Sequence, residues 1–225
     1  MSSLESVLLA QKNIKVIDGC ISYQDYFPID LSISNSDLLG LKNADDFEIY
    51  FNNYLDKNNA KVAFGGYNEF RNLYKRSNIF TDIELEERNI HIGIDLWIKE
   101  GTSVLAALDG TVHSFEYNVG LGNYGPTIIL KHKIDGVEFY TLYGHLSIES
   151  IETLKVGKVF KSGEQLGTLG DSSVNGDYAP HLHFQIIDQI EDYVGDYPGV
   201  CSQNNLNFYL KNCPDPNLLL KINEL

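Results

Sequence analysis

Cysteine is scarce in this 225-residue chain: Cys20, Cys201 and Cys213 make an odd number, and no two of them have the CxxC spacing. That argues against a disulfide framework and against a thiolate zinc site, and it fits a reducing compartment. Positive charge is also short, with 17 Lys and Arg against 31 Asp and Glu. The formal charge of −14 repels phosphate backbones and anionic lipid surfaces, so no nucleic-acid partner is expected. Long apolar runs are missing. The first residues carry no basic stretch and only the short run Val7–Ala10, whereas a spanning helix needs ~20 apolar residues. The expectation is no membrane span, no visible export signal and a cytoplasmic location. There is no Gly-x-Ser-x-Gly elbow to present a serine nucleophile, and no cysteine sits in a cysteine-protease signature.

What is present divides the chain into three stretches. Residues 1–80 read as a partly helical extension with Asn-rich breaks. Within it Phe47, Tyr50, Phe51, Tyr54 and Leu55 recur at helical spacing behind a cap-like Asn43, with Asp45 and Asp46 in the first turn. Packing against a core accounts for that aromatic stripe. Residues 81–190 switch to short β-branched runs and Gly turns, with strands expected over Ile90–Leu96, Ser103–Ala107, Gly110–Tyr117, Thr127–His132, Glu138–Leu142 and His181–Ile187. Asp109-Gly110 and Asp135-Gly136 sit between strand-like runs as turn dipeptides. The spacing predicts a mainly β, mostly antiparallel domain. Residues 191–225 alternate turn signals with aromatics and end in Asp215-Pro216-Asn217 before Leu218-Leu219-Leu220, which reads as an extension packed on the domain.

Three of the six histidines lie in two short motifs, His91-x-x-x-Asp95 and His181-x-His183. Residues two or four apart on a strand share a face, so each motif aims polar side chains at one place. Two such pairs suggest a metal. Two imidazoles and a carboxylate suit zinc, and a hydrolytic site uses three protein ligands with a fourth position left for water.

The two motifs resemble the signatures of the lysostaphin and LytM type of zinc metallopeptidase. The intervening sequence is similar as well, through Gly101-Thr102-Ser103-Val104, Ala107-Leu108-Asp109-Gly110-Thr111-Val112, Thr127-Ile128-Ile129-Leu130-Lys131-His132, Tyr140-Thr141-Leu142-Tyr143-Gly144-His145-Leu146 and Ser162-Gly163-Glu164-Gln165-Leu166-Gly167. The resemblance covers about residues 88–188, and the ordered set is far more specific than HxH alone. It implies curved antiparallel sheets with one zinc ion held by His91, Asp95 and His183. It makes His181 the general base toward the attacking water, and gives His145 the oxyanion or the leaving amine. The implied substrate is a short Gly- or D-Ala-containing, peptidoglycan-like peptide. A noncatalytic or latent zinc-binding scaffold or regulatory module and a hydrolase of a small nonpeptide amide are the alternatives.

Other residues carry weaker signals. His113 reads as a surface or core residue, His132 as a strand-end residue beside the groove, and Tyr143 and Tyr178 as groove candidates outweighed by a core role. Gly93 and Gly144, next to proposed site residues, suit close backbone approach. The cluster Asn68, Glu69 and Arg71 either packs as a loop on the domain or blocks or shapes the groove. The flanks around Gly65–Arg71, Gly195–Val200 and Cys213–Asn217 resemble a subgroup of peptidase-like modules fused to class III aminotransferases.

Overall fold

The alternation along one strand organises the fold. In β12 (His181–Ile187) every residue is buried. Leu182, Phe184 and Ile186 enter the main hydrophobic core, while the opposite face presents His181, His183 and Gln185. The computed structural model describes residues 2–72 and 87–222. The expected boundary at residues 80 and 81 lies outside the described residues.

Strand β12 sits between β5 (Ile94–Trp97) and β9 (Val137–Gly144) in an eight-stranded sheet ordered β1-β2-β5-β12-β9-β8-β7-β10. The β8 strand (Gly125–Ile134) and β9 form a hairpin closed by Asp135 and Gly136 at φ 50 and 82, the left-handed pair that a two-residue turn requires. The β7 strand (Gly110–Asn118) and β10 (Val159–Phe160) continue the sheet, and β6 (Ser103–Leu105) pairs with β11 (Gln165–Thr168) in a small separate ribbon. The architecture is mainly β with antiparallel and mixed sheets, as the turn spacing predicts.

The residues before 73 are built into this sheet. Strands β1 (Tyr26–Pro28) and β2 (Val62–Gly65) pair in parallel, and β2 runs antiparallel to β5 with Gly65 opposite Asp95. These strands are too short to show alternation in sequence. Helix α1 (Ser3–Ala10) starts with a reciprocal Ser2–Glu5 capping box. Helix α2 (Ala44–Lys57) is capped by Asn43, whose side chain accepts from the Asp46 amide at 2.8 Å. Its periodic aromatics bury Phe47 and Phe51 against Trp97, with the Phe51 and Trp97 rings stacked at 4.0 Å. Burying such a side chain stabilises the fold by ~1.5–3 kcal/mol.

The expected single strand Ile90–Leu96 is two strands. Ile92-Gly93 breaks it into β4 (Ile90–His91) and β5, which lie in different sheets. The β4 strand is the middle of a three-stranded sheet between β3 (Glu69–Phe70) and β13 (Val200–Cys201), so both flanks of the chain clasp His91. Beyond helix α3 (Glu149–Glu152), the C-terminal stretch adds α4 (Leu206–Asn212) and α5 (Asn217–Leu220). Lys221 ends it by donating to the carbonyls of Leu9 and Gln11 beside α1. Among the described residues no helix is long and apolar enough to cross a membrane.

Candidate metal centre

Register brings the three proposed ligands together. His183 lies opposite Asp95 across the β12–β5 pair, and β4 delivers His91 from the adjoining sheet. His91 and Asp95 therefore converge through the Ile92-Gly93 break and not, as strand periodicity predicts, along one strand face. Nε2 of His91 is 2.9 Å from Nδ1 of His183, and Oδ1 of Asp95 is 3.3 Å from the first and 3.2 Å from the second. All three residues are at most 2% exposed.

The outer hydrogen bonds settle what these three atoms are. His91 Nδ1 lies 2.9 Å from the carbonyl of Gly66, which can only accept, so Nδ1 carries the hydrogen and Nε2 a bare lone pair. Gln185 Nε2 donates to the Pro198 carbonyl at 3.1 Å, which turns its Oε1 toward His183 Nε2 at 3.0 Å. His183 therefore donates from Nε2 and points a lone pair from Nδ1 into the centre. Two imidazole lone pairs and a carboxylate oxygen face one another on buried side chains, an arrangement that is repulsive until a cation joins it. With bonds of ~2.0–2.1 Å, neighbouring corners of a tetrahedron around zinc lie about 3.3 Å apart, close to the three observed separations. The donor set fits a divalent metal.

Electrostatics agree with a neutral His91 beside an ionised carboxylate. Burial, then the Arg71 charge, push His91 down to about 4. Burial raises the Asp95 carboxyl, but the facing His91 and the Arg71 guanidinium more than offset it and hold the group well below the usual carboxylate range. Arg71 is itself only 1% exposed, and its Nη1 is 2.5 Å from Asp95 Oδ2.

The two further histidines stand beside the ligands. His181 Nδ1 donates to the Ala179 carbonyl at 2.8 Å, and His145 Nδ1 to that of Asn175 at 2.8 Å, so both keep Nε2 as an acceptor. Burial pushes His181 down to about 4 and His145 well below its ordinary value. Their ring centroids are 4.2 Å apart, and His181 stacks on Trp97 at 3.9 Å, extending the Phe51–Trp97 stack to the site. His145 has φ 63, a left-handed conformation that costs a non-glycine residue ~1–3 kcal/mol. Backbone bonds on both sides hold it there: its amide donates to Tyr124 and its carbonyl accepts from Gly170.

All five histidine and aspartate side chains singled out in the sequence line one cavity of about 200 Å³, together with Arg71, Arg88, Tyr124, Tyr178, Tyr193 and Tyr197. Tyr143 lies in the core, its hydroxyl accepting from the Ala107 amide, and His132 is buried between the Asp109 carbonyl and the Thr141 hydroxyl. His113 packs edge-on against Tyr140. Sequence reasoning missed Gln185, although it continues the same-face series from His181 and His183 at a step of two. It also missed Tyr124, whose hydroxyl is 3.4 Å from His183 Nε2, and the Tyr197–Val200 wall. The backbone at Gly199 passes so close that a Cβ there would lie 1.9 Å from the Tyr124 hydroxyl.

Comparison with known proteins agrees with this geometry. Residues 89–194 match the model of peptidase family M23. An uncharacterized metalloprotease of Haemophilus influenzae is 35% identical over 95 residues, which is 42% of this chain and 18% of that protein. The DD-carboxypeptidase/endopeptidase Mpg of Neisseria meningitidis is 35% identical over 96 residues, 43% of this chain and 20% of Mpg. The peptidoglycan DD-endopeptidase ShyC of Vibrio cholerae is 35% identical over 98 residues, 43% of this chain and 20% of ShyC. The matches thus span about a fifth of each of these relatives' lengths. Among solved structures, the catalytic domain of lysostaphin from Staphylococcus simulans is 31% identical, with 54% of this chain and 80% of that chain covered and a TM-score of 0.38. The family match spans the residues that carry the His-Asp-His cluster.

Proposed function

We propose that this chain is a zinc-dependent endopeptidase whose M23-type domain hydrolyses short, Gly- or D-Ala-containing peptide bonds of the peptidoglycan kind. The observation that carries the reading is the triangle of lone pairs from His91, Asp95 and His183, flanked by two imidazoles whose Nε2 atoms are unprotonated. The names of Mpg and ShyC, each matched over about a fifth of its length, support the substrate class.

When bound, zinc supplies Lewis acidity, polarising the scissile carbonyl and acidifying a water to a pKa of about 7. The rest of the work falls to this chain's side chains. His181 takes the proton of the attacking water at Nε2, because its Nδ1 is tied to Ala179 and its ring is clamped on Trp97. The proton taken by His181 is the one delivered to the leaving amine, and His145, held by Asn175 with its ring against that of His181, takes the complementary place with a bare Nε2 that accepts a hydrogen bond from that amine. Tyr124 and Tyr178 flank His145 and offer hydroxyls at the cavity wall. Each positioned acid or base contributes ~10²–10⁴-fold to the rate.

The test is a panel of pentaglycine, D-Ala-D-Ala and cross-linked muropeptide substrates given to the zinc-loaded chain and to His181→Gln. Cleavage by the wild type that falls steeply in the variant supports the reading; a zinc-loaded wild type inert on all of them sinks it. One observation favours a second reading: Tyr193, Tyr197 and Gly199 wall one side of the cavity, which suits a small amide better than a long strand. Activity confined to small amides in the same panel would select it.

A further inference from the structure

Asp95 offers two oxygens, and the protein uses them differently. Oδ1 faces His91 Nε2 and His183 Nδ1 at 3.3 and 3.2 Å, while Oδ2 is 2.5 Å from Arg71 Nη1. Arg71 is fixed in turn. Its Nε donates to Glu69 Oε2 at 2.6 Å, Glu69 Oε1 accepts from the Leu31 amide at 3.1 Å, and the Arg71 amide donates to the Asn89 carbonyl at 2.9 Å. The guanidinium lies against the bare Cα of Gly66, where a Cβ would come within 1.9 Å of Nη2 and 2.9 Å of His91 Nδ1. Residues 66–71 therefore hold the outer atoms of two of the three ligands, His91 through Gly66 and Asp95 through Arg71. These residues precede the stretch 89–194 that matches the peptidase family.

We propose that Arg71, braced by Glu69, is a positioning residue that commits Asp95 to a one-oxygen bond with the metal. The inference rests on the metal reading of the site. To bind through both oxygens, Asp95 would have to draw Oδ2 away from a buried guanidinium and give up a charge-assisted hydrogen bond out of reach of water, which is unfavourable. Arg71 thus keeps the protein ligand count at three and a position open for substrate or water. Glu69 neutralises the guanidinium, so Arg71 can stand next to a cation without repelling it. A pair that served only to fasten β3 to the sheet would influence stability and leave the coordination unchanged.

Cobalt(II) substitution separates these roles, because four-coordinate cobalt absorbs visible light far more strongly than five- or six-coordinate cobalt. The experiment compares wild type, Arg71→Met and Arg71→Lys by visible absorption, by chelator competition for the metal and by circular dichroism for the fold. The expected wild-type spectrum is the intense four-coordinate one. In Arg71→Met the bands weaken as Oδ2 joins the metal, and metal affinity changes by roughly 10–100-fold, the usual effect of losing an outer partner. Should Arg71→Met fail to fold, Arg71→Lys decides: an ammonium cannot bridge Glu69 and Asp95 as the planar fork does, and its bands are expected to fall below those of wild type. A folded variant with the wild-type spectrum, and with affinity within about twofold, overturns the inference. A wild type that takes up no cobalt overturns the metal reading with it. A wild type that cleaves no peptide, alongside the spectral change in the variants, defeats only the substrate reading.

Discussion

Replacing Gly93 with alanine probes the centre without touching a ligand. A Cβ at this position would sit 2.5 Å from Cε1 and 2.6 Å from Nε2 of His183, and 3.0 Å from the Phe184 carbonyl. Ordinary contact begins at 3.4 Å, so the imidazole must retreat by about 0.9 Å. It cannot swing aside freely, because Nε2 is bonded to Gln185 and the ring packs edge-on against His91 at 4.8 Å. The retreat moves Nδ1 off its corner of the ligand triangle. A misplacement of ~1 Å costs about 10²-fold in rate, and overpacking of this kind costs ~1–3 kcal/mol of stability. Gly93→Ala is therefore expected to bind zinc more weakly by roughly 10–100-fold, judged against the effect of losing an outer partner. It should also lose about 10²-fold in kcat/KM and melt a few degrees lower. Gly19→Ala is the control, since a Cβ there meets only Leu105 at 3.7 Å. Chelator competition, peptide kinetics and a thermal melt read all three quantities. Zinc affinity and rate equal to wild type in Gly93→Ala would refute the packing argument and the ligand role of His183 together.

Three further outcomes follow from the same geometry. His181→Gln should lower kcat by ~10²–10⁴-fold with the metal content unchanged, so loss of metal on elemental analysis would instead make His181 part of the ligand set. His132, outside the cavity, is pushed by burial from the ordinary 6.5 down to about 4, so the folded state holds it neutral while the unfolded chain takes up a proton near 6.5. Its contribution is complete above pH 6.5 and is lost as the pH falls toward 4: ~2 kcal/mol should disappear between pH 7.5 and 5 in urea titrations, and a His132→Gln variant with the same pH slope as wild type would contradict this. Finally, the fragment 89–194 should neither fold cooperatively nor keep metal, since it removes β2 from the edge of β5 and takes Gly66, Arg71 and Pro198 from behind the ligands. A fragment that folds and binds zinc as the full chain does would show that the flanks are dispensable.

Much of the centre was legible because its chemistry is local in sequence. His181 and His183 share a face at a step of two, and the strand they occupy carries the expected bounds, His181–Ile187. The cap and first-turn carboxylates before the periodic aromatics marked α2, and Asp135-Gly136 marked the β8–β9 turn. The features that escaped depend on long-range partners. Arg71 was singled out as able to reach the groove, but its partner was not: it acts on Asp95 across 24 positions, and no periodicity links them. Strands β1, β2 and β3 have two to four residues each and exist because β5 and β4 offer edges, so helical breaks were all the sequence displayed there. The Ile92-Gly93 break was hidden for the opposite reason: the residues on either side are strand formers, and only membership of two sheets separates them. Gln185 alone was within reach, since the face shared by His181 and His183 continues to it.

Elemental analysis of the full chain beside Asp95→Ala decides whether His91, Asp95 and His183 hold the metal on which the proposed hydrolysis depends. About one zinc per wild-type chain is expected after purification or reconstitution, and little or none in Asp95→Ala, with circular dichroism showing both folded. A wild type that holds no metal after reconstitution, or an Asp95→Ala variant that keeps its full complement, would contradict that assignment.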